Sequence, residues 1–208
     1  MTDASLHASV DASVHAPSAP SHPSATGLSN TKLAMWVYLG SDCLLFGSLI
    51  STYLLLRHRA VQGPGPTDVF DIPFTSVSSF VLLMSSLTMA LAVASIGRGE
   101  VHRMRAWLAT TAMLGGVFIG GQVYEFTTFY REGLGYTTNI FGSAFYTLTG
   151  FHGVHVSVGI VMLMSLLLMS FRGTLTPERS EAVEIVGLYW HFVDIVWIVI
   201  FTVVYLIP

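Results

Sequence analysis

The chain has 208 residues, 52% of them apolar and 10% charged, with a mean hydropathy of +0.66 and a formal charge of -3. So little polar surface cannot coat a soluble globule of this length, and the composition specifies an integral membrane protein. The small net charge speaks against a nucleic-acid partner, and the single Cys43 excludes an intrachain disulfide framework, a Cys-x-x-Cys-His haem attachment and a two-thiolate copper centre.

Residues 1–31 are rich in Ala, Ser, Pro and His and contain no Lys or Arg. Such a segment buries too little apolar surface to offset the entropy of ordering, so a disordered tail is expected. It has neither the basic start nor the compact apolar core of a signal peptide. His7, His15 and His22 are scattered within it as solvated histidines, with metal binding or proton collection as the functional alternatives.

About 20 apolar residues cross the hydrocarbon core of a bilayer. Five stretches meet that length, over residues 33–56, 73–97, 106–130, 138–171 and 182–206, predicting an all-α bundle of five transmembrane helices. Pro73 suits a first helical turn, and Gly97, Gly99 and Gly173 suit helix ends. The fourth stretch exceeds a perpendicular span and is expected to tilt or project. Gly115, Gly116, Gly120 and Gly121 permit close helix approach on the third, with Gly116 and Gly120 forming a small-xxx-small pair. Trp36, Tyr53, Trp107, Tyr130 and Tyr205 fall near span ends, where an interfacial aromatic belt is expected. The Met and Leu run over residues 162–169 reads as core or lipid-facing surface.

Orientation follows from the basic residues. Lys32, Arg98, Arg103, Arg105, Arg172 and Arg179 lie on the side of the first residue, against Arg57, Arg59 and Arg131 on the other. Six against three places the N-terminus in the cytoplasm and the C-terminus outside. The Gly- and Pro-containing segment over residues 57–72 then becomes an external turn.

Within these apolar stretches stand Asp42, His152, His155, His191 and Asp194, all at middle depth by the helical rise of about 1.5 Å per residue, with Glu125 nearer the external surface. An Asp at a helix centre costs about 2.5 to 3.5 kcal/mol on insertion scales, so these groups need partners or water. His152 and His155 are three positions apart, as are His191 and Asp194, so each pair shares a helix face. Four readings fit the residues. The His-x-x-His spacing offers imidazole to zinc, copper or iron; His152 or His155 with His191 would ligate a b-type haem; carboxylate and imidazole would relay protons in a small proton-coupled transporter; or the polar groups simply lock helices together.

Two longer strings bear on that choice. Gly-Phe-His-Gly-Val-His-Val over residues 150–156 and Tyr-Trp-His-Phe-Val-Asp-Ile-Val-Trp over residues 189–197 resemble the signature pair of haem-copper terminal oxidase subunit III. Tyr-Leu-Gly-Ser-Asp-Cys-Leu-Leu-Phe over residues 38–46, Tyr124-Glu125-Phe126 and Gly142-Ser143-Ala144-Phe145 resemble family positions in the same order, so the likeness covers residues 33–208.

The resemblance implies a subunit with no catalytic residue, redox centre or metal of its own. It would pack beside the catalytic subunit I and near subunit II, with haem and copper in those partners, bind phospholipid and sustain proton uptake. The expected setting is a bacterial plasma membrane. Asp42 stands where many members carry Glu, in a Ser-Asp-Cys version resembling the branch that includes bo-type quinol oxidases. Cytochrome c is the expected donor because it is widespread in the family, with quinol the alternative. Asp42, His152, His155, His191, Asp194 and Glu125 become candidates for proton-uptake support, and Asp42 and Arg172 for lipid binding, since basic juxtamembrane residues hold phosphates. Seven-helix relatives carry two further N-terminal helices, so another chain is expected to complete the lipid cleft.

Overall fold

The computed structural model describes residues 29–57, 71–173, 175 and 180–207. Every element among them is helical: α1 (Asn30–Leu56), α2 (Ile72–Gly97), α3 (Val101–Arg131), α4 (Ile140–Phe171) and α5 (Ser180–Phe201), the last running into a π-helical turn (Thr202–Leu206). All five are long and apolar enough to cross a membrane. The chain is an integral, multi-pass membrane protein.

Local chemistry sets the boundaries. The Ser29 side chain accepts from Lys32 N and starts α1 at Asn30, so Asn30 and Thr31 are helical rather than part of a tail; Asp71 and Asn139 cap α2 and α4 in the same way. Pro73 occupies the first turn of α2. The third helix begins at Val101, five residues before the apolar stretch, because helix formation continues through the polar His102, Arg103 and Arg105 beyond hydrocarbon depth. Gly99 and Gly173 adopt φ of +76° and +72°, the left-handed conformation that ends helices at low cost when no Cβ is present. At 32 residues α4 is about 48 Å long at 1.5 Å per residue, well beyond the hydrocarbon thickness. The expected tail, its three histidines and most of the turn over residues 57–72 lie outside the described residues.

The three-residue turn between α2 and α3 forces an antiparallel hairpin, and these two helices share the most extensive contact. Around the bundle α2 packs on α3, α3 on α4, α4 on α5 and α5 on α2, closing a ring. Helix α1 stands outside it, against α4 and α5. Its buried residues, Leu39, Asp42, Phe46 and Tyr53, form one narrow stripe flanked by the half-buried Met35, Leu49 and Ile50, and most of the remaining helix is exposed.

Trp190 pins the ring together. Its indole lies where a Cβ at Gly115 of α3 would come within 2.6 Å and one at Gly159 of α4 within 2.8 Å, and its N–H donates to Ser85 Oγ of α2 at 3.0 Å. One side chain from α5 therefore touches all three other ring helices. Gly115 and Gly121 face neighbours, whereas Gly116 and Gly120 are exposed, and a methyl added at either would find nothing within 4 Å. The expected pairing through Gly116 and Gly120 is thus corrected: residues one position apart differ by about 100° around a helix, and that turn sends this pair outward.

The aromatic belt also needs correction. Trp36 and Tyr130 are exposed, but Tyr53 and Tyr205 are buried. Tyr205 belongs to the π-helical turn, whose wider winding re-aims side chains, and it stacks on Phe201 with ring centres 5.6 Å apart.

Candidate functional site

Asp42, His152, His155, His191 and Asp194 occupy the same stretch of the bundle but do not converge on one point. They divide among three settings on different sides of α5, with Glu125 in a fourth near the far end. Among the described residues no three His, Cys, Asp or Glu side chains form a metal-sized group.

The first setting lies between α1 and α4. Phe46 packs edge-on to His155 with centres 5.0 Å apart, and His155 Nε2 stands 3.6 Å from Asp42 Oδ2. His155 Nδ1 is 2.7 Å from the Phe151 carbonyl oxygen, which can only accept, so Nδ1 carries a hydrogen. Tyr38, one turn before Asp42, reaches the same carboxyl and stacks on Tyr189, whose hydroxyl donates to the His155 carbonyl at 2.9 Å. Asp42 is 7% exposed and turns toward α4.

The second setting is the centre of the ring. His152 is fully buried, tilted over Trp197 with centres 4.7 Å apart and edge-on to Phe118. Its Nε2 lies 3.2 Å from the Val193 carbonyl, to which it donates, and its Nδ1 has no partner. Three positions separate His152 from His155, a swing of about 60° around the helix. That swing carries one ring into the core and the other into the α1 contact.

The third setting is the α2–α5 seam. Ser86 Oγ is 2.6 Å from His191 Nδ1, and Asp194 sits one turn further along α5 with neither carboxylate oxygen in a hydrogen bond. Trp190 and Trp197 flank it and donate to Ser85 and Ser79 Oγ, the latter at 2.9 Å. Thr88 and Thr111 hydroxyls, 2.7 Å apart, extend the polar chain to α3. Near the opposite end of α2 the Thr75 hydroxyl donates to Glu125 Oε1.

The hydroxyl partners Thr75, Ser79, Ser85 and Ser86 escaped the sequence reading because α2 carries no formal charge. A signal was present: Thr75, Ser79, Leu82, Ser85, Met89 and Ala92 follow the helical repeat, and all are buried, so the hydroxyls mark one inward face.

Where chain ends meet, charges tie α1 to α5. Lys32 Nζ pairs with Glu184 Oε2 at 2.5 Å, Ser29 Oγ donates to Glu181, and at the other end Arg57 Nη1 donates to the Ile207 carbonyl at 3.3 Å. Between α1, α2 and α5 opens a groove of about 570 Å³, with Lys32, Trp36 and Glu184 toward one end and His191 deeper in. A second groove of about 500 Å³ lies between α3 and α4, apolar except for Gln122 and Ser157. Arg172 is exposed just past α4, while Arg105 holds the end of that helix by donating to Ser170 and lying over the Phe171 ring.

Comparison with known proteins places these settings in context. The family described as "Cytochrome c oxidase subunit III" matches residues 29–207. The chain is 41% identical over 177 residues to the "Cytochrome bo(3) ubiquinol oxidase subunit 3" of Pseudomonas aeruginosa, covering 85% of each chain. It is 37% identical over 190 residues to the "Cytochrome c oxidase subunit 3" of Bacillus sp. (strain PS3), covering 91% of this chain and 92% of that one. Against the "Quinol oxidase subunit 3" of Bacillus subtilis it is 38% identical over 185 residues, 89% of this chain and 90% of that one.

Proposed function

The chain belongs to the cytochrome c oxidase subunit III family, and from that premise we propose that it is the non-redox subunit of a respiratory haem-copper oxidase, supporting the catalytic subunit while oxygen is reduced to water. The family is a component of a multi-subunit oxidase complex. In this chain the role is to hold lipid, stabilise subunit I and sustain proton uptake, with subunit II in the same assembly. Haem and copper belong to those partners.

The observation that carries the reading is the arrangement of three imidazoles, His152 buried and His155 and His191 half-buried. His155 faces a carboxylate, His152 a backbone carbonyl and His191 a serine hydroxyl. Neither a bis-imidazole haem nor a His-x-x-His metal centre finds its ligands aimed at one point, whereas carboxyl, imidazole and hydroxyl neighbours suit proton-exchanging groups. Lipid holding is supported by the apolar groove between α3 and α4 and by the exposed Arg172, whose guanidinium suits a phosphate at the membrane edge. Asp42 contributes from beneath, through the α1 wall that it fastens to α4.

Cytochrome c is the proposed donor. Quinol is the second reading, favoured by the two relatives above named as quinol oxidase subunits. Mass identification of copurifying chains decides between them: a partner with a two-cysteine copper domain supports cytochrome c, and a partner without those ligands supports quinol. The subunit assignment itself is tested by metal and haem analysis of the purified chain alone. Less than stoichiometric haem and copper is expected, and a bis-imidazole spectrum abolished by His191→Ala would overturn the assignment. A bacterial plasma membrane with Met1 inside completes the proposal.

A further inference from the structure

Asp194 is 3% exposed, and neither of its oxygens is in a hydrogen bond. It stands in a row of α5 side chains whose other polar members are satisfied from α2. Trp190, four positions earlier, donates to Ser85, and Trp197, three positions later, donates to Ser79. The hydroxyl in reach of Asp194 belongs to Ser86. Its Oγ also lies 2.6 Å from His191 Nδ1, donating to that nitrogen or accepting from it according to the imidazole tautomer. His191 is half-buried and lines the groove between α1, α2 and α5. Groove, imidazole, hydroxyl and carboxyl thus stand in series.

An ionised carboxylate buried without a donor is far costlier than the neutral acid, and Ser86 has one hydrogen to give. It goes to Nδ1 when the imidazole hydrogen is on Nε2 and is released to Asp194 when that hydrogen is on Nδ1, an alternation that suits a relay.

We propose that Asp194 is a proton-binding site loaded from the α1/α2/α5 groove through His191 and Ser86. In the starting tautomer His191 carries its hydrogen on Nδ1 and donates it to Ser86 Oγ, which leaves the serine hydrogen for Asp194 and Nε2 free, and a proton from groove water adds to Nε2. The Nδ1 proton then passes to Ser86 Oγ as the Ser86 hydroxyl proton moves to an Asp194 oxygen. One proton has entered at Nε2, one has arrived at the carboxyl, and His191 and Ser86 are neutral again; the reverse step returns the proton to the groove. Other ionisable groups near the series are His152 from α4, engaged with the Val193 carbonyl, and the Lys32–Glu184 pair toward the groove's end. Helix α2 contributes hydroxyls, and α3 the Phe118 ring packed on Trp197. The Asp42–His155 pair belongs to the α1–α4 contact and stands apart from the series.

This inference rests on the proton-uptake reading for its purpose, but its test does not depend on turnover. Infrared difference spectra of the intact purified oxidase complex are recorded in H2O and after transfer to D2O. The wild type is expected to show a carboxylic-acid C=O band that moves in D2O, is missing from Asp194→Asn, shifts in Asp194→Glu and persists in Asp42→Asn. In Ser86→Ala and His191→Gln the band should remain while its deuterium exchange slows by about a hundredfold, the low end of what a positioned proton donor contributes. A band unchanged in Asp194→Asn overturns the proposal, as does wild-type exchange in both relay variants. Should Asp194→Asn fail to assemble, the shift in Asp194→Glu decides the assignment. Inactivation during turnover, measured on the same preparations, separates the two readings: slowed exchange with wild-type turnover removes the supporting role but leaves the site.

Discussion

His155 presents Nε2 to Asp42 Oδ2 across 3.6 Å, while its Nδ1 donates to the Phe151 carbonyl 2.7 Å away. The two side chains come from different helices, and their approach, with the Phe46 ring edge-on to His155, fastens the peripheral α1 at mid-height.

Removing one partner leaves the other buried and alone, so the pair is energetically coupled. The double variant Asp42→Leu/His155→Phe is expected to lose less stability than the sum of the single variants, by about 1 to 3 kcal/mol. Denaturant-dependent dissociation of α1-labelled complexes in micelles measures the coupling. Strict additivity would show that the two groups do not sense each other.

The Asp42→Leu variant also tests the supporting role. Leu is favourable at a helix centre where Asp is costly, so insertion is expected to be preserved. The assembled oxidase should begin turnover at the wild-type rate and then inactivate faster. Equal inactivation at matched subunit content leaves Asp42 with a packing role only.

Glycines one position apart on α3 are expected to differ in sign. A methyl at Gly115 meets Trp190 at 2.6 Å, so Gly115→Ala forces the indole to shift and costs about 1 to 3 kcal/mol, as overpacking does. Gly116→Ala meets nothing within 4 Å and should be neutral or stabilising by about 0.5 to 1 kcal/mol through helix propensity. Thermal unfolding of the purified subunit reads both, and equal effects would contradict the placement of Trp190.

At the far end of the bundle the Thr75 hydroxyl donates to Glu125. Glu125→Gln keeps an acceptor there and is expected to change stability by less than about 0.5 kcal/mol. Thr75→Val removes the donor from a buried carboxyl and should cost about 1 to 3 kcal/mol. The same unfolding assay ranks them; the reverse order would mean that Glu125 is held by another group.

Topology is checked with a reporter joined after Pro208. Six Lys and Arg residues against three predict activity only in an external-facing format. Strong cytoplasmic activity would reverse the orientation.

Much of this protein was legible before any folding was considered. Span length and hydropathy specify five crossings, because a bilayer core admits only helices of that length or closed barrels. The strings around His152, His155, His191 and Asp194 point to the family, and their depth singles them out as costly groups needing partners. Which partner each one finds was decided by tertiary structure. Helical periodicity states where a side chain lies around its own axis, but not which helix stands opposite. His152 and His155 are about 60° apart on α4; the first meets the ring interior and the second meets α1 only because α1 packs outside the ring against α4 and α5. The same applies to Gly115 and Gly116, of which one receives an indole and the other nothing, and to Ser86, an unremarkable hydroxyl in an uncharged span until α5 brings His191 against it. Lateral contacts in a membrane bundle come from the shapes of whole helix faces and the short turns joining them, a property of all the helices together that no single stretch of residues encodes.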